Sequence, residues 1–356
     1  FEAAALLNAC LDRVTEVTDE LKRLMAEFEK ELAILKGRVD GLEAKVGELE
    51  ASQFSTTTKL KGEASFILAG SPDFNSPDRD LDDDPDEVTF NYDLRLSFDT
   101  SFTGKDLLRT RLRAGNFSSL PFGSSSQIFK LDKAEGTDDS VEIDRLFYRF
   151  PVGDSFRFTV GALVRNTEMI SFVPQAYNSD ILDFFQLAGA SGTYNKATGA
   201  GAGISWKQNV EKGRPAITFD TNYVSSNGFD DSSVGAFTEE SGINWLSQLG
   251  VKAKNWGAAI AYRYGSENSR LRVPNFSATV PSGGSASSLG VAAYWAPIDS
   301  GWIPSISAGY GYNWQDKGIS DSQSWMVGLQ WDDAFMEGSD AGFAVGQPPF
   351  TGGRNN

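Results

Sequence analysis

The chain has 356 residues, a formal charge of −16 and a pI near 4.5, a balance that argues against nucleic acid as a partner because phosphate binding needs a basic surface. It has no His and one Cys, Cys10, which removes Ser-His-Asp and Cys-His catalysis, an intrachain disulfide and a Cys-rich metal site; neither an enzyme nor a bound metal or cofactor is expected. No run of about 18 apolar residues occurs, so no transmembrane helix is predicted; a mean hydropathy of −0.30 with 12% aromatic residues suits strands with one face in lipid and one in water.

The chain starts at Phe1, which predicts an N-terminus that is processed or extends further. From Leu11 to Leu49 apolar residues recur at spacings of three and four, the seam of a coiled coil. Leu11, Thr18, Met25, Leu32, Val39 and Val46 take position a; Val14, Leu21, Phe28, Leu35, Leu42 and Leu49 take position d. The flanking pairs Glu31 with Lys36, Arg38 with Glu43 and Lys45 with Glu50 have opposite signs in a parallel, in-register arrangement. A parallel homo-oligomeric stalk over residues 11–52, about 60 Å long, is expected. Val at a with Leu at d leans to two strands, whereas Met25 and Leu32 at a leave three open; the alternative is one long helix packed on the rest of the chain.

Beyond about Thr57 the period becomes two. Val88, Phe90, Tyr92, Leu94, Leu96 and Phe98 share one face against Thr89, Asn91, Asp93, Arg95 and Ser97. Phe156, Phe158, Val160, Ala162 and Val164 repeat the pattern against Arg157, Thr159 and Arg165, and similar faces follow to Trp331. About thirteen strands of roughly 8–12 residues are predicted, the length a tilted membrane strand needs. Short connections alternate with long ones, the long set being 70–87, 117–140, 166–198, 227–241 and 267–287. This alternation predicts an all-β antiparallel up-and-down outer-membrane barrel over residues 53–356 rather than a sandwich. An even strand count then predicts roughly three further strands and a barrel near sixteen.

In chain order, the acidic run between Asp73 and Glu87 invites a calcium site but lacks the Gly of an EF-hand loop, so a solvated loop is expected. Arg109, Arg111 and Arg113 recur at every second position, on the face opposite the apolar one, with Arg95 before them and Arg157 after. Such a ladder lining a lumen sets anion preference or a transverse field; fully paired with Asp93, Glu142 and Asp144 it would serve packing only. Arg145 and Arg149 are harder to place because Leu146, Phe147 and Tyr148 blur the period. The connection 166–198 mixes aromatic residues with acids, and Asp180, Asp183, Phe184 and Phe185 are candidates for a constriction facing the ladder; a subunit contact or a cover over the mouth is the alternative.

Three segments carry a family resemblance. Residues 2–13 (EAAALLNACLDR) look like the tail of an S-layer-homology domain running into a coiled coil. Residues 54–64 (FSTTTKLKGEA) look like a first barrel strand, and residues 141–154 (VEIDRLFYRFPVGD) a strand and turn of the same proteins. The chain thereby resembles the major outer-membrane porins of cyanobacteria, related to the carbohydrate-selective porins. The resemblance implies residues 1–10 as the end of a wall-binding domain, a periplasmic stalk, a trimeric barrel in outer-membrane lipid, and peptidoglycan-linked polysaccharide as partner. It also implies passage of inorganic ions and a link to iron uptake.

The leading expectation is a wall-tethered porin for passive diffusion of inorganic ions and small hydrophilic solutes. The alternatives are a structural tether with little flux, an adhesin, and a selective sugar channel, which would require aromatic residues along the lumen that the polar strand faces do not supply.

Overall fold

A computed structural model describes residues 19–52, 57–70, 88–118, 122–123, 130–179, 181–229, 233–272, 279–298, 301–318 and 321–350. The chain divides into two compact units, residues 1–56 and 57–356.

In the first unit, α1 spans Asp19–Ser52, 34 residues. Its apolar stripe stands uncovered in a single copy of the chain: Phe28, Leu32, Leu35, Val39 and Leu42 are 45–60% exposed, with Met25 beside them. Leu11, Val14 and Thr18 and the side chains of Leu21, Val46 and Leu49 lie outside the described residues. No described helix is long and apolar enough to cross a membrane.

The second unit is one antiparallel sheet of thirteen strands in sequence order. The strands are β1 (Thr58–Ala69), β2 (Thr89–Thr100), β3 (Leu107–Gly115), β4 (Glu142–Val152), β5 (Phe156–Arg165), β6 (Thr198–Lys207) and β7 (Ala216–Ser225). β8 (Ile243–Lys252), β9 (Trp256–Gly265), β10 (Ala286–Trp295), β11 (Ser305–Gln315), β12 (Asp321–Trp331) and β13 (Ala341–Phe350) complete it, with β1 and β13 at its two edges. The expected alternation of connections is present, with one exception: 316–320 is short although it lies at the long-connection end. The acidic run 73–87 lies outside the described residues.

The two faces of the sheet invert the pattern of a water-soluble protein. On β7, β8 and β9, Phe219, Leu249 and Ile260 are 45–53% exposed, while Asp220, Gln248 and Arg263 on the opposite face are at most 1% exposed. The alternation continues through β12, where Trp325 and Val327 are exposed and Ser324 and Met326 are buried. Period-two patterning with the apolar side outward is what a lipid-facing strand requires.

Bulges break the period where the sequence was hardest to read. Register shifts fall between Arg111 and Leu112 on β3, between Leu146 and Phe147 on β4, and between Gly161 and Val164 on β5. An inserted residue moves everything after it to the other face. Val164, expected on the apolar outer face, is therefore fully buried in a cluster with Phe147, Met169, Ala197 and Val224.

The turn between β2 and β3 is organised by Asp106. Its carboxylate accepts hydrogen bonds from Thr103 Oγ1 and N (both 2.7 Å), Tyr148 Oη (2.8 Å) and Ser101 Oγ (2.9 Å). These donors, the Thr103 hydroxyl foremost, hold the carboxyl well below the usual range. A lowered folded-state pKa gives stability that is present above the ordinary Asp value, about 3.9, and is lost as pH falls through the folded value. Thermal melts of solubilised protein at pH 6 and pH 2.5 should show this loss, and Asp106→Asn should lower the pH 6 melting temperature and flatten the difference.

Candidate functional site

The polar faces of β2 to β5 form a wall of arginines held by carboxylates. Arg109 Nε and Nη2 donate to Asp99 at 2.7 and 2.9 Å; Arg111 Nε and Nη2 donate to Asp144, both at 2.7 Å. Arg113 forks onto Asp93, with Nη1 2.6 Å from Glu135, and Arg95 Nε reaches the same Asp93 at 3.1 Å. Cross-strand register brings these groups together: Arg95 faces Arg113, Asp99 faces Arg109, and Arg111 faces Arg145. Arg95, Arg109, Arg111 and Arg113 are thus ion-paired, with Asp93 and Asp144 as in the paired alternative and with Asp99 and Glu135 where that alternative named Glu142.

The β4 bulge places Arg145 and Arg149 on this wall. Arg145 Nε lies 2.8 Å from Glu168. Phe147, buried between them, stands under the guanidinium of Arg149 at 5.1 Å and that of Arg109 at 6.0 Å. Arg157 has no carboxylate partner among the described residues; its Nη2 donates to Ile170 O (3.0 Å) and Ser205 Oγ (3.2 Å).

Residues 166–198 lie against the polar faces of the later strands. Asn166 Nδ2 donates to Asn195 (2.7 Å), Asn195 Nδ2 to Asn244 on β8 (2.9 Å), and Tyr194 Oη to Gln248 (2.8 Å). Ser307 Oγ on β11 accepts from the backbone N–H groups of Ala176 and Tyr177, and Gln330 on β12 accepts from Asn178 N at 2.6 Å. Ile170, Leu187, Ala188, Ala190 and Tyr194 of the segment cluster with Leu246, Ala261 and Ala292 of the sheet. Small residues on the sheet permit this approach: a Cβ at Gly290 would stand 2.8 Å from Ala190 Cβ.

Asp183 lines one cavity with Arg95, Arg111 and Arg113 of the ladder but forms its ion pairs elsewhere. It is 2% exposed and pairs with Arg272 and with Lys196 (2.7 Å). Phe184 and Phe185 pack with Tyr177, Met326 and Ala344 beside β12 and β13, because the bonds to Ser307 and Gln330 carry that part of the segment away from β2–β5. Asp180 lies outside the described residues.

Two cavities open along the arginine wall. One, of about 410 Å³, is at the short-connection end and is lined by Lys105, Arg149, Arg157, Lys207 and Lys252, with Asp154 as its one acid. The other, of about 560 Å³, lies toward the long connections between the wall and residues of 130–138, 183, 196–198 and 270–272. Both are net basic in a chain whose formal charge is −16. Sequence reading placed Arg165 on a polar strand face without singling it out, and missed Lys130, Lys196, Arg270 and Arg272. Those four sit in connections, where no period marks the side that a side chain faces.

A thirteen-strand antiparallel meander with a buried polar face and an exposed apolar face is the sheet of an outer-membrane channel. Residues 16–353 match the model of the carbohydrate-selective porins, the OprB family, and the chain belongs to that family of channels. It is 38% identical over 257 residues to an uncharacterized protein of Nostoc sp., covering 64% of this chain and 43% of that protein. It is 27% identical over 402 aligned positions to an uncharacterized protein of Synechocystis sp., covering 98% of this chain and 70% of that protein. The chain thus spans less than half the length of the Nostoc relative. Its fold is similar to that of OprB from Pseudomonas putida, with a TM-score of 0.53 and 15% identity over 84% of this chain and 76% of that one.

Proposed function

We propose that the chain forms the pore of an outer-membrane porin for small hydrophilic solutes, sugars foremost among them. The inverted sheet carries this reading: its polar face is buried and lined with forked arginine–carboxylate pairs, and its exposed face is apolar. Membership of the carbohydrate-selective family moves sugars ahead of the inorganic-ion reading expected from sequence. The objection to a sugar channel was the lack of aromatic residues on the polar strand faces. The 166–198 segment brings rings to that side, among them Phe172, which meets Tyr294 edge-on at 6.5 Å.

Closing the sheet into a barrel would pair both exposed edges and leave the solute path between the arginine wall and the 166–198 segment. The exposed Phe, Ile and Val face of the sheet suits outer-membrane lipid. The uncovered stripe of α1 supports a homo-oligomeric stalk, with a trimer as the working model. A periplasmic tether to peptidoglycan-linked polysaccharide and a role in iron uptake rest on the resemblance alone.

Liposomes loaded with the purified protein should swell in isotonic monosaccharide solutions at rates that fall with solute size. Swelling no faster than in protein-free liposomes would refute the channel.

A further inference from the structure

The 560 Å³ chamber carries more positive charge than its carboxylates can pair. Nine cationic side chains line it against six acidic ones, and Asp93 and Glu168 outside the lining pair with Arg95, Arg113 and Arg145, which leaves nine cations to eight carboxylates. Asp144 is taken by Arg111, and Asp183 by Arg272 and Lys196. The Arg165 guanidinium donates only to Thr198 Oγ1 (3.4 Å), while its backbone N–H donates to Glu168 (3.1 Å); the Arg270 guanidinium donates only to the carbonyl of Lys196 (3.2 Å). Among the described residues, Lys130, Arg165 and Arg270 have no carboxylate within ion-pair distance.

Two further groups bear on a ligand. Arg145 and Arg272 are each 2% exposed, line the chamber, and leave Arg145 Nη2 and Arg272 Nε without a hydrogen-bond partner. A buried guanidinium N–H without an acceptor costs free energy that an entering acceptor, an anion most strongly, would relieve. The unused donors also sit on opposite walls, Arg145 and Arg165 on the sheet side and Arg270, Arg272 and Lys130 on the connections. Donors converging from two sides suit a tetrahedral dianion, with oxygens pointing several ways, better than a planar carboxylate. The volume falls in the usual range for a small-molecule site, about 300–1,000 Å³.

We propose that this chamber binds a phosphate dianion, free or carried by a sugar, held between Arg145 and Arg165 on one side and Arg270, Arg272 and Lys130 on the other. The sugar-borne form rests on the channel reading above; the anion site itself stands on the chamber. It would make the chain selective for phosphorylated over neutral sugars at the entry to its path.

Titration calorimetry of the detergent-solubilised full chain with orthophosphate tests the site. Saturable binding is expected, weakened at least about tenfold in Arg165→Gln/Arg270→Gln and kept within about threefold in Arg165→Lys/Arg270→Lys. Neither substituted guanidinium has an ion pair among the described residues, and Glu168 beside Arg165 keeps Arg145, so neutralising them strands no buried acid there; heat-modifiable migration in electrophoresis reports whether each variant is folded. If the double variant does not fold, Lys130→Gln gives the same readout with a smaller loss. Competition by glucose 6-phosphate but not by glucose would support the sugar-borne ligand; competition by neither would support free phosphate. No saturable phosphate binding, or binding unchanged in the glutamine variants, would overturn the site. Liposome swelling with glucose separates the two claims, since it depends on the channel and not on the anion site.

Discussion

Asp183→Asn should release the 166–198 segment from the polar face of the sheet. Asp183 is buried, its Oδ2 meets Arg272 and its Oδ1 lies 2.7 Å from Lys196, and its backbone N–H donates to Lys130 O at 2.9 Å. The carboxylate thus joins the segment to the connection that holds Arg272 and braces Lys196 within the segment, while the backbone N–H joins it to the connection that holds Lys130. Replacing it with an amide leaves two buried cations facing a neutral group, and breaking a buried pair in this way costs about 3–5 kcal/mol. A membrane sheet of thirteen strands tolerates that loss globally, so the effect should be local. Hydrogen exchange over residues 181–198 should accelerate, and limited proteolysis should cut there first. Asp183→Glu should be milder. Unchanged exchange in Asp183→Asn would show that the contacts to Ser307, Gln330 and Gln248 hold the segment without the ion pair.

Gly311→Val should dislodge the same segment by a different route. The Cβ of any residue at 311 would lie 2.8 Å from Ala190 Cα and 2.8 Å from Ser324 Oγ, both closer than real Cβ contacts allow. Neither neighbour has room to give, because Ala190 is fully buried and Ser324 Oγ donates to Gly189 O at 2.7 Å. Overpacking of this kind costs about 1–3 kcal/mol. The valine should therefore push Ala188–Ala190 off β11 and raise the unit conductance, with Gly311→Ala intermediate. A conductance equal to that of the unaltered protein would place the solute path away from this segment.

The sheet was legible because its two faces are chemically unlike and the strand period is two; a run such as Phe90, Tyr92, Leu94 reads the same in sequence and in the fold. The ladder Arg109, Arg111 and Arg113 was legible for the same reason. What bulges or leaves the strand was not. Val164 changed face through an inserted residue, and Arg145 and Arg149 sat where Phe147 interrupts the polar side. Asp183 was expected to oppose the ladder because both lay in or near the lumen. Its partner is instead Arg272, 89 residues away, and the segment is held to Gln330 by a contact spanning 152 residues. Contacts of that separation leave no periodic trace. The ladder hinted at a basic path despite the formal charge of −16, but the cations that the connections add, Lys130, Lys196, Arg270 and Arg272, were hidden.

Single-channel recording of the purified protein in planar bilayers, with a KCl gradient across the membrane, tests directly whether this sheet encloses a solute path with a basic wall. Stepwise conductance with a zero-current potential of the sign for chloride preference is expected, reduced in Arg149→Gln/Arg157→Gln, because among the described residues neither guanidinium has a carboxylate within ion-pair distance. A silent bilayer, or a preference for potassium that those substitutions leave unchanged, would contradict it.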